Sequence, residues 1–254
     1  MARITLLGTG TCVPSLTRSS CAALVQTEAE NFLVDSGPGT MRRLLEAGVN
    51  IDDITAIFYT HTHPDHTAEL VPLLFATKYP SLTRQRPLTI YGGEGFGEFF
   101  KGLQRVYGEW LNPGEGMVEV CELSTEGSDL FYRGDLAGIT SPVNHRPESL
   151  ALKLVFSWGR SVVFSGDTGP SDALAELASG SDLFVCECST PDAEPVPNHL
   201  TPSLAGNVAK DAKVGTLVLT HFYPACDKVD VEKECRRTYD GQLVLGEDLK
   251  VFDL

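Results

Sequence analysis

The sequence predicts an α/β protein of two similar halves, each a β-sheet with helices on its outer face, with the two sheets packed against each other. Three observations lead there. Short β-branched and aromatic runs alternate with helical stretches along most of the chain. A weak internal echo is present: FLVDSGPGTMRRLLEAG, then AIFYT (32–48, 56–60), has the same strand, glycine turn, helix, strand order as VVFSGDTGPSDALAELASG, then LFVCE (162–180, 183–187). Finally, 254 residues, 42% of them hydrophobic, can bury a full core without disulfides, so residues 1–254 are expected to form a single domain built of two halves.

In chain order, strands are expected at RITLLG (3–8), CAALVQ (21–26) and NFLVDS (31–36), followed by a helix from Thr40 to Ala47 that Gly48 closes. ITAIFYT (54–60) is β-branched and aromatic, as a buried strand should be. A helix should follow through about Tyr79, kinked at Pro72. PLTIY (87–91) reads as a strand, Phe96 to Tyr107 as a helix and GEWLNPGEG (108–116) as a Pro/Gly-rich loop. Strands recur at 117–123, 136–141, 150–157 and 161–165. The second half then alternates helices near 171–178, 201–211 and 229–238 with strands LFVCE (183–187), TLVLT (216–220) and LKVFD (249–253).

Composition narrows the function. MARITLLGTG has only a short apolar run and does not read as a secretory signal. No apolar stretch approaches the roughly 20 residues of a membrane-spanning helix. Seven cysteines without a C-x-x-C pair point to a reducing cytoplasm and small buried thiols, not a structural zinc site. A formal net charge of −14 disfavours nonspecific binding to phosphate backbones, so a nucleic acid would have to be held at a local positive site. GGEGFGEFF (92–100) forms neither G-x-G-x-x-G nor a P-loop, and no nucleotide cofactor is expected.

THTHPDH (60–66) carries the chemistry. Three of the six histidines lie within six residues, with a carboxylate between the last two. Following a buried strand, His61 and His63 project on the same side of an extended chain. Pro64 suits the first turn of a helix, so Asp65 and His66 face another way. One short loop can thus offer two ligand sets to two adjacent metals, and imidazole with carboxylate suits Zn²⁺, or Mn²⁺ or Fe²⁺. His221 follows the apolar strand TLVLT, and Asp167 sits in the turn of VVFSGDTG; both are places where site residues emerge from a sheet. His145 (PVNHRPES) and His199 (NHLTP) fall in loops.

Together THTHPDH, His145, SGDTG and THF resemble the metallo-β-lactamase superfamily of binuclear metal hydrolases. Within it, LLGTGTCVPS, FLVDSGPGTMRRLLEAG, PLTIYG, NHRPESLALKL, HLTPSLAGNVA and LVLTHF are similar, almost end to end, to ribonuclease Z and its relatives. The resemblance implies a four-layer αββα sandwich. It also implies one metal held by His61, His63 and His145, a second by Asp65, His66 and His221, and Asp167 bridging both. Asp35, in the DSG turn, would orient a ligating imidazole. A hydroxide held between the ions would attack a phosphodiester of RNA or of a small or cyclic nucleotide, with Asp65 holding the nucleophile by a hydrogen bond. The N-terminus of the helix after Pro64 would favour the anionic ligand. His199, not needed as a ligand, would be the general acid, with Glu187 as its candidate partner.

The chain departs from its relatives in three places. Pro64 and Glu69 stand where they commonly have glycine. Transfer-RNA-processing members commonly carry a long arm between the third histidine ligand and the bridging aspartate, whereas here His145 and Asp167 are 22 positions apart. That spacing and the acidic charge argue against tRNA maturation. Loop 108–116 with Trp110, and the basic stretch TRQRP (83–87), are candidate substrate or partner contacts. Thioester or lactone hydrolysis of the glyoxalase II type is the alternative use of the same metals. A β-lactamase is disfavoured because Asp167 replaces the usual cysteine ligand, and a di-iron oxygen reductase because His63 stands where a carboxylate is usual. A full ligand set argues against a purely structural subunit. The sequence allows a homodimer without specifying one.

Overall fold

A computed structural model describes residues 1–79, 84–112 and 114–254. The first half contains β1 (Arg3–Gly8), β2 (Ala22–Gln26), β3 (Asn31–Val34), α1 (Thr40–Glu46), β4 (Ala56–Phe58), α2 (Pro64–Thr67), α3 (Leu70–Ala76), β5 (Leu88–Gly93), α4 (Phe96–Tyr107) and β6 (Val118–Leu123). The second contains β7 (Asp129–Arg133), β8 (Leu136–Pro142), β9 (Leu150–Phe156), β10 (Ser161–Phe164), α5 (Asp172–Ala178), β11 (Leu183–Glu187), α6 (Pro202–Ala212), β12 (Thr216–Thr220), α7 (Val231–Cys235) and β13 (Gln242–Leu245). A last strand, β14 (Val251–Asp253), crosses back to the first sheet and pairs antiparallel with β1.

The two sheets are built alike. One runs β14-β1-β2-β3-β4-β5-β6 and the other β13-β12-β11-β10-β9-β8-β7. In each, three antiparallel pairings give way to three parallel ones, the switch falling at β3 and at β10. The echoed segments are β3-α1-β4 and β10-α5-β11, each a parallel pair joined through a helix.

Period-two alternation divides every central strand between two cores. Phe32 and Val34 face the other sheet, in a core shared with Ile4, Phe58, Leu152, Leu154 and Val185. Phe131 there stacks on Tyr91 with centroids 4.2 Å apart. Leu33 and Ile57 turn outward, beneath Leu44 of α1, Leu73 and Leu74 of α3 and Phe96 and Phe100 of α4. On the far side, Val163, Phe184 and Leu217 meet Leu174, Ala205 and Ala209 of α5 and α6. The result is helices, sheet, sheet, helices.

Local departures from expectation have physical causes. The helix after the histidine cluster breaks at Ala68–Glu69, not at Pro72. Pro72 lies in the first turn of α3, where its missing N–H needs no partner. At the break, the Glu69 carboxylate accepts from the backbone N–H groups of Gly39 and Met41, both at 2.6 Å, so it caps α1. β7 and β13 escaped the sequence reading. In β7, Leu130 and Tyr132 are exposed on an edge strand, so its apolar signal does not mark burial. The third C-terminal helix shrinks from 229–238 to Val231–Cys235. Four cysteines are buried as expected, but Cys12 is exposed, Cys21 and Cys121 are intermediate, and all seven are unpaired. No helix among the described residues is long and apolar enough to cross a membrane.

One buried carboxylate fastens the chain near its two ends. Asp248 accepts from Thr9 N (3.0 Å), Thr9 Oγ1 (2.8 Å), Ser19 N (2.7 Å) and Arg43 Nη2 (3.0 Å). It thereby fixes the segment between β1 and β2 against the turn before β14.

The basic stretch 83–87 is not a surface for substrate at Arg84; Thr83 lies outside the described residues. Arg84 is 2% exposed and donates to the carbonyl oxygens of Ile54 (2.6 Å) and Ile51 (2.8 Å). Trp110 sits in a 3-10 turn, its ring edge-on to Phe75 at 5.5 Å; Pro113 of the same loop lies outside the described residues. Replacing Arg84 by Met keeps the aliphatic stem but strands the two carbonyls. We expect a loss of about 2–4 kcal/mol, read as a lower urea midpoint with unchanged slope, while catalytic turnover per folded molecule stays at the wild-type level.

Candidate metal centre

The loops that follow the parallel strands of both sheets meet at one end of the sandwich, the carboxyl-end position at which open α/β sheets bind ligands. β4 leads into His61 and His63, α2 carries Asp65 and His66, and the β8–β9 loop carries His145. Asp167 follows β10 and His221 follows β12. All seven side chains converge. Donor atoms of His61, His63, His145 and Asp167 lie within 4.8 Å of one another, and so do those of Asp65, His66 and His221.

Asp167 stands between these groups. Its Oδ1 is 3.3 Å from Nε2 of both His66 and His221. Its Oδ2 is 3.7 Å from His61 Nε2 and 3.8 Å from His145 Nε2. His63 approaches through the other nitrogen, Nδ1, which is 3.2 Å from His145 Nε2. Asp65 Oδ2 is 3.6 Å from His221 Nε2.

Hydrogen bonds behind the rings explain this aim. His66 Nδ1–H donates to Asp35 Oδ2 (2.8 Å), and His61 Nδ1–H to Thr60 Oγ1 (3.0 Å), whose own proton goes to Asp35. His221 Nδ1–H donates to Ser189 Oγ (2.9 Å) and His145 Nδ1–H to the carbonyl of Asn198 (3.3 Å). Each ring therefore turns its Nε2 toward Asp167. Backbone strain accompanies the arrangement. Among the described residues five non-glycine residues have positive φ, and three of them, Asp35 (59°), Asn198 (61°) and His221 (60°), belong to this network.

His199 borders the centre, its donor atom within 4.8 Å of those of Asp167 and His221. Its Nδ1–H donates to Glu187 Oε1 (2.9 Å), leaving Nε2 free. Glu187 also accepts from Thr168 N (2.6 Å), Ser189 Oγ (2.6 Å) and Leu200 N (3.2 Å), so it is a buried organiser and not a solvated strand end. Thr60, Ser189 and the Asn198 carbonyl went unrecognised in the sequence, because hydroxyl residues and main-chain acceptors carry no pattern that marks them.

The electrostatics are those of a crowded polar pocket. Burial pushes His61 well below the ordinary imidazole value and lowers His63 and His145. At His66 burial is outweighed by Asp167 and Asp35, which raise it well above the ordinary value. Burial opposes the charged form of Asp167, yet His221 and His66 hold its carboxyl well below the usual range. At His199 burial is outweighed by Glu187, and its pKa is raised.

Whether the residues suit a metal can be judged from the protein atoms alone. His61 Nε2, His66 Nε2, His221 Nε2 and Asp167 Oδ1 are buried without a hydrogen-bond partner. Four such atoms at one point would cost about 1–3 kcal/mol each. Neutral imidazole and carboxylate donors suit a divalent cation, which would satisfy all four. The donor set fits.

Residues 30–222 match the β-lactamase superfamily domain. The chain belongs to the metallo-β-lactamase superfamily. Within the superfamily it is 31% identical over 273 aligned positions to a ribonuclease Z of Mycobacterium bovis, the alignment covering 98% of this chain and 97% of the relative. The short form of human tRNase Z superposes with a TM-score of 0.80 at 28% identity, covering 99% of this chain and 98% of that one. The metallo-β-lactamase fold protein YhfI of Bacillus subtilis superposes with a TM-score of 0.85 at 21% identity over 100% of both chains, a likeness of fold. The protein is a metal-dependent hydrolase with the αββα metallo-β-lactamase fold.

Asp167→Ala should strip the centre of the group that, among the described residues, faces both donor sets. Bound metal, measured by elemental analysis after dialysis, should fall along with turnover. The loss in affinity should exceed the roughly 10–100-fold typical of removing a hydrogen bond behind a ligand.

Proposed function

We propose that the protein is a binuclear phosphodiesterase that cleaves a phosphodiester of RNA or of a small or cyclic nucleotide. One divalent ion is assigned to His61, His63 and His145, a second to Asp65, His66 and His221, and Asp167 to both. Zn²⁺ suits the donors best, with Mn²⁺ or Fe²⁺ as alternatives. The observation that carries this reading is the placement of the two Asp167 oxygens, one toward His66 and His221 and the other toward His61 and His145. Bound there, the ions would supply positive charge to phosphate oxygens and lower the pKa of water.

The remaining roles fall to side chains. Asp65 lies at the centre and can accept a hydrogen bond from the attacking water. His199 has a ring nitrogen within 4.8 Å of the donor atoms of Asp167 and His221; with Nδ1 engaged by Glu187, Nε2 is the nitrogen left to give a proton to a leaving alkoxide, and Glu187 favours the protonated form. The N-terminus of α2 adds little, because that helix is a single turn.

The ribonuclease Z relatives favour RNA. The 22-position interval from His145 to Asp167 is filled by β9 and β10, without room for a protruding arm. We therefore favour RNA ends or small phosphodiesters over an intact tRNA body. Donors from both halves line one centre, so residues 1–254 act as one unit, and a homodimer is not needed to complete it. Unpaired thiols suit the reducing cytoplasm.

The test pairs metal analysis with parallel assays on a bis-aryl phosphate, a cyclic nucleotide, precursor tRNA and a thioester. Phosphodiester cleavage lost on chelation and restored by Zn²⁺ is expected; thioester turnover without phosphodiester cleavage overturns the reading. His199→Ala should keep wild-type metal content while kcat drops about 10²–10⁴-fold. Wild-type rates in that variant would remove His199 from the chemistry.

A further inference from the structure

Each half of the molecule contains a relay with the same chemical order: imidazole, hydroxyl, carboxylate, imidazole. In the first half His61 Nδ1 is 3.0 Å from Thr60 Oγ1, Thr60 Oγ1 donates to Asp35 Oδ2 at 3.0 Å, and Asp35 Oδ2 accepts from His66 Nδ1 at 2.8 Å. In the second, His221 Nδ1 is 2.9 Å from Ser189 Oγ, Ser189 Oγ donates to Glu187 Oε2 at 2.6 Å, and Glu187 Oε1 accepts from His199 Nδ1 at 2.9 Å. The two relays do not occupy matching places in the internal echo. Asp35 follows β3 and Thr60 precedes the cluster after β4, whereas Glu187 and Ser189 both come from the end of β11. The same construction has been reached from different positions, so it is not a by-product of the repeated fold.

Proton counting shows what the hydroxyls do. A hydroxyl has one proton to donate and two lone pairs to accept with. Thr60 and Ser189 each spend that proton on a carboxylate, which can only accept. Toward the imidazole they are therefore acceptors, and His61 and His221 must carry their protons on Nδ1. This fixes the lone pair on Nε2, the buried and unpartnered nitrogen of each ring that faces Asp167. Ser189 Oγ also lies 3.1 Å from His199 Nδ1, whose single proton is directed to Glu187 Oε1 at 2.9 Å. Both residues are buried, at 1% exposure for Thr60 and 0% for Ser189, so bulk water does not reach either hydroxyl.

We propose that Thr60 and Ser189 are positioning residues that select the metal-binding tautomer of His61 and of His221 respectively, and so set the affinity of the two ion sites separately. The inference rests on the two-ion reading above. Without its hydroxyl, either ring is free to protonate Nε2 and to rotate, and the ion it serves is bound more weakly. The effect is confined to one site per hydroxyl, because the ring on the other side of each relay keeps its carboxylate.

The test needs no substrate. Purified full-length wild type, Thr60→Val (nearly isosteric), Ser189→Ala and Ser189→Thr are titrated with Zn²⁺ against a competing chromophoric chelator. Circular dichroism of each metal-free protein confirms the fold. The wild type should take up two ions. Thr60→Val should weaken one of them by about 10–100-fold and Ser189→Ala the other, the double variant should weaken both, and Ser189→Thr should restore the wild-type curve. In long-range ¹H–¹⁵N spectra of the metal-free wild type, His61 and His221 should appear as Nδ1–H tautomers, with His61 losing that signature in Thr60→Val and His221 in Ser189→Ala. Wild-type affinities in both single variants, or weakening of the same ion by both, overturns the proposal. Uptake of a single ion by the wild type would instead overturn the two-ion reading, so the two failures are told apart.

Discussion

Asp167 is buried with both carboxylate oxygens 3.3–3.8 Å from the ring nitrogens of four histidines that arrive from three different loops. Bringing so many polar groups together in a protein interior is expensive, since each buried ion loses several kcal/mol of hydration even after relaxation. A fold can sustain that cost only if the side chains cannot splay apart. The sandwich meets the requirement by emitting Asp167, His221 and the His61–His66 segment from, or close to, the ends of β10, β12 and β4, strands that are buried on both faces. The helical layers keep those strands dry on the outside and the inter-sheet core keeps them dry within.

Rigidity at the strand ends is not free of strain. Asp35 and His221 adopt left-handed backbone conformations that cost a non-glycine residue of the order of 1–3 kcal/mol. Asp35 is held by several hydrogen bonds, accepting from Thr60 and His66 and donating its own N–H to the Phe58 carbonyl, while His221 is tied through Nδ1 to Ser189 Oγ. The strain and its compensation lie in the same few residues, as expected where geometry is set by a ligand and not by folding alone. Glu69 belongs to the same economy of parts. Its carboxylate holds the start of α1 and so the turn containing Asp35.

Much of this was legible in the residues. Runs such as LFVCE and TLVLT have the composition of doubly buried strands, and both strands occur at the expected positions. The site side chains were readable because H-x-H-x-D-H after a strand is a rare string and because strand-end aspartate and histidine are distinctive. What stayed hidden was of two kinds. β7 and β13 are edge strands with half-exposed faces, so periodicity carries little information there. Thr60 and Ser189 each complete a relay through one partner that is near only in space: Thr60 and Asp35 are 25 positions apart, Ser189 and His221 32. A serine or threonine is common everywhere, and nothing local separates these two from solvent-facing ones. The break between α2 and α3 was misplaced because proline is a conspicuous helix breaker, whereas its harmlessness in a first turn depends on where the helix begins.

The Asp248 clasp has a consequence for how the molecule comes into being. Ser19 and Asp248 are 229 positions apart. At a synthesis rate of about 5–20 residues per second, the segment between β1 and β2 emerges roughly 10–45 s before its anchor exists. All seven donor side chains, His221 the last of them, are translated before Asp248, and the sandwich can be largely assembled around them. Until Asp248 emerges, the donors on Thr9, Ser19 and Arg43 lack their common acceptor, so the segment between β1 and β2 is fastened only late in the making of the chain.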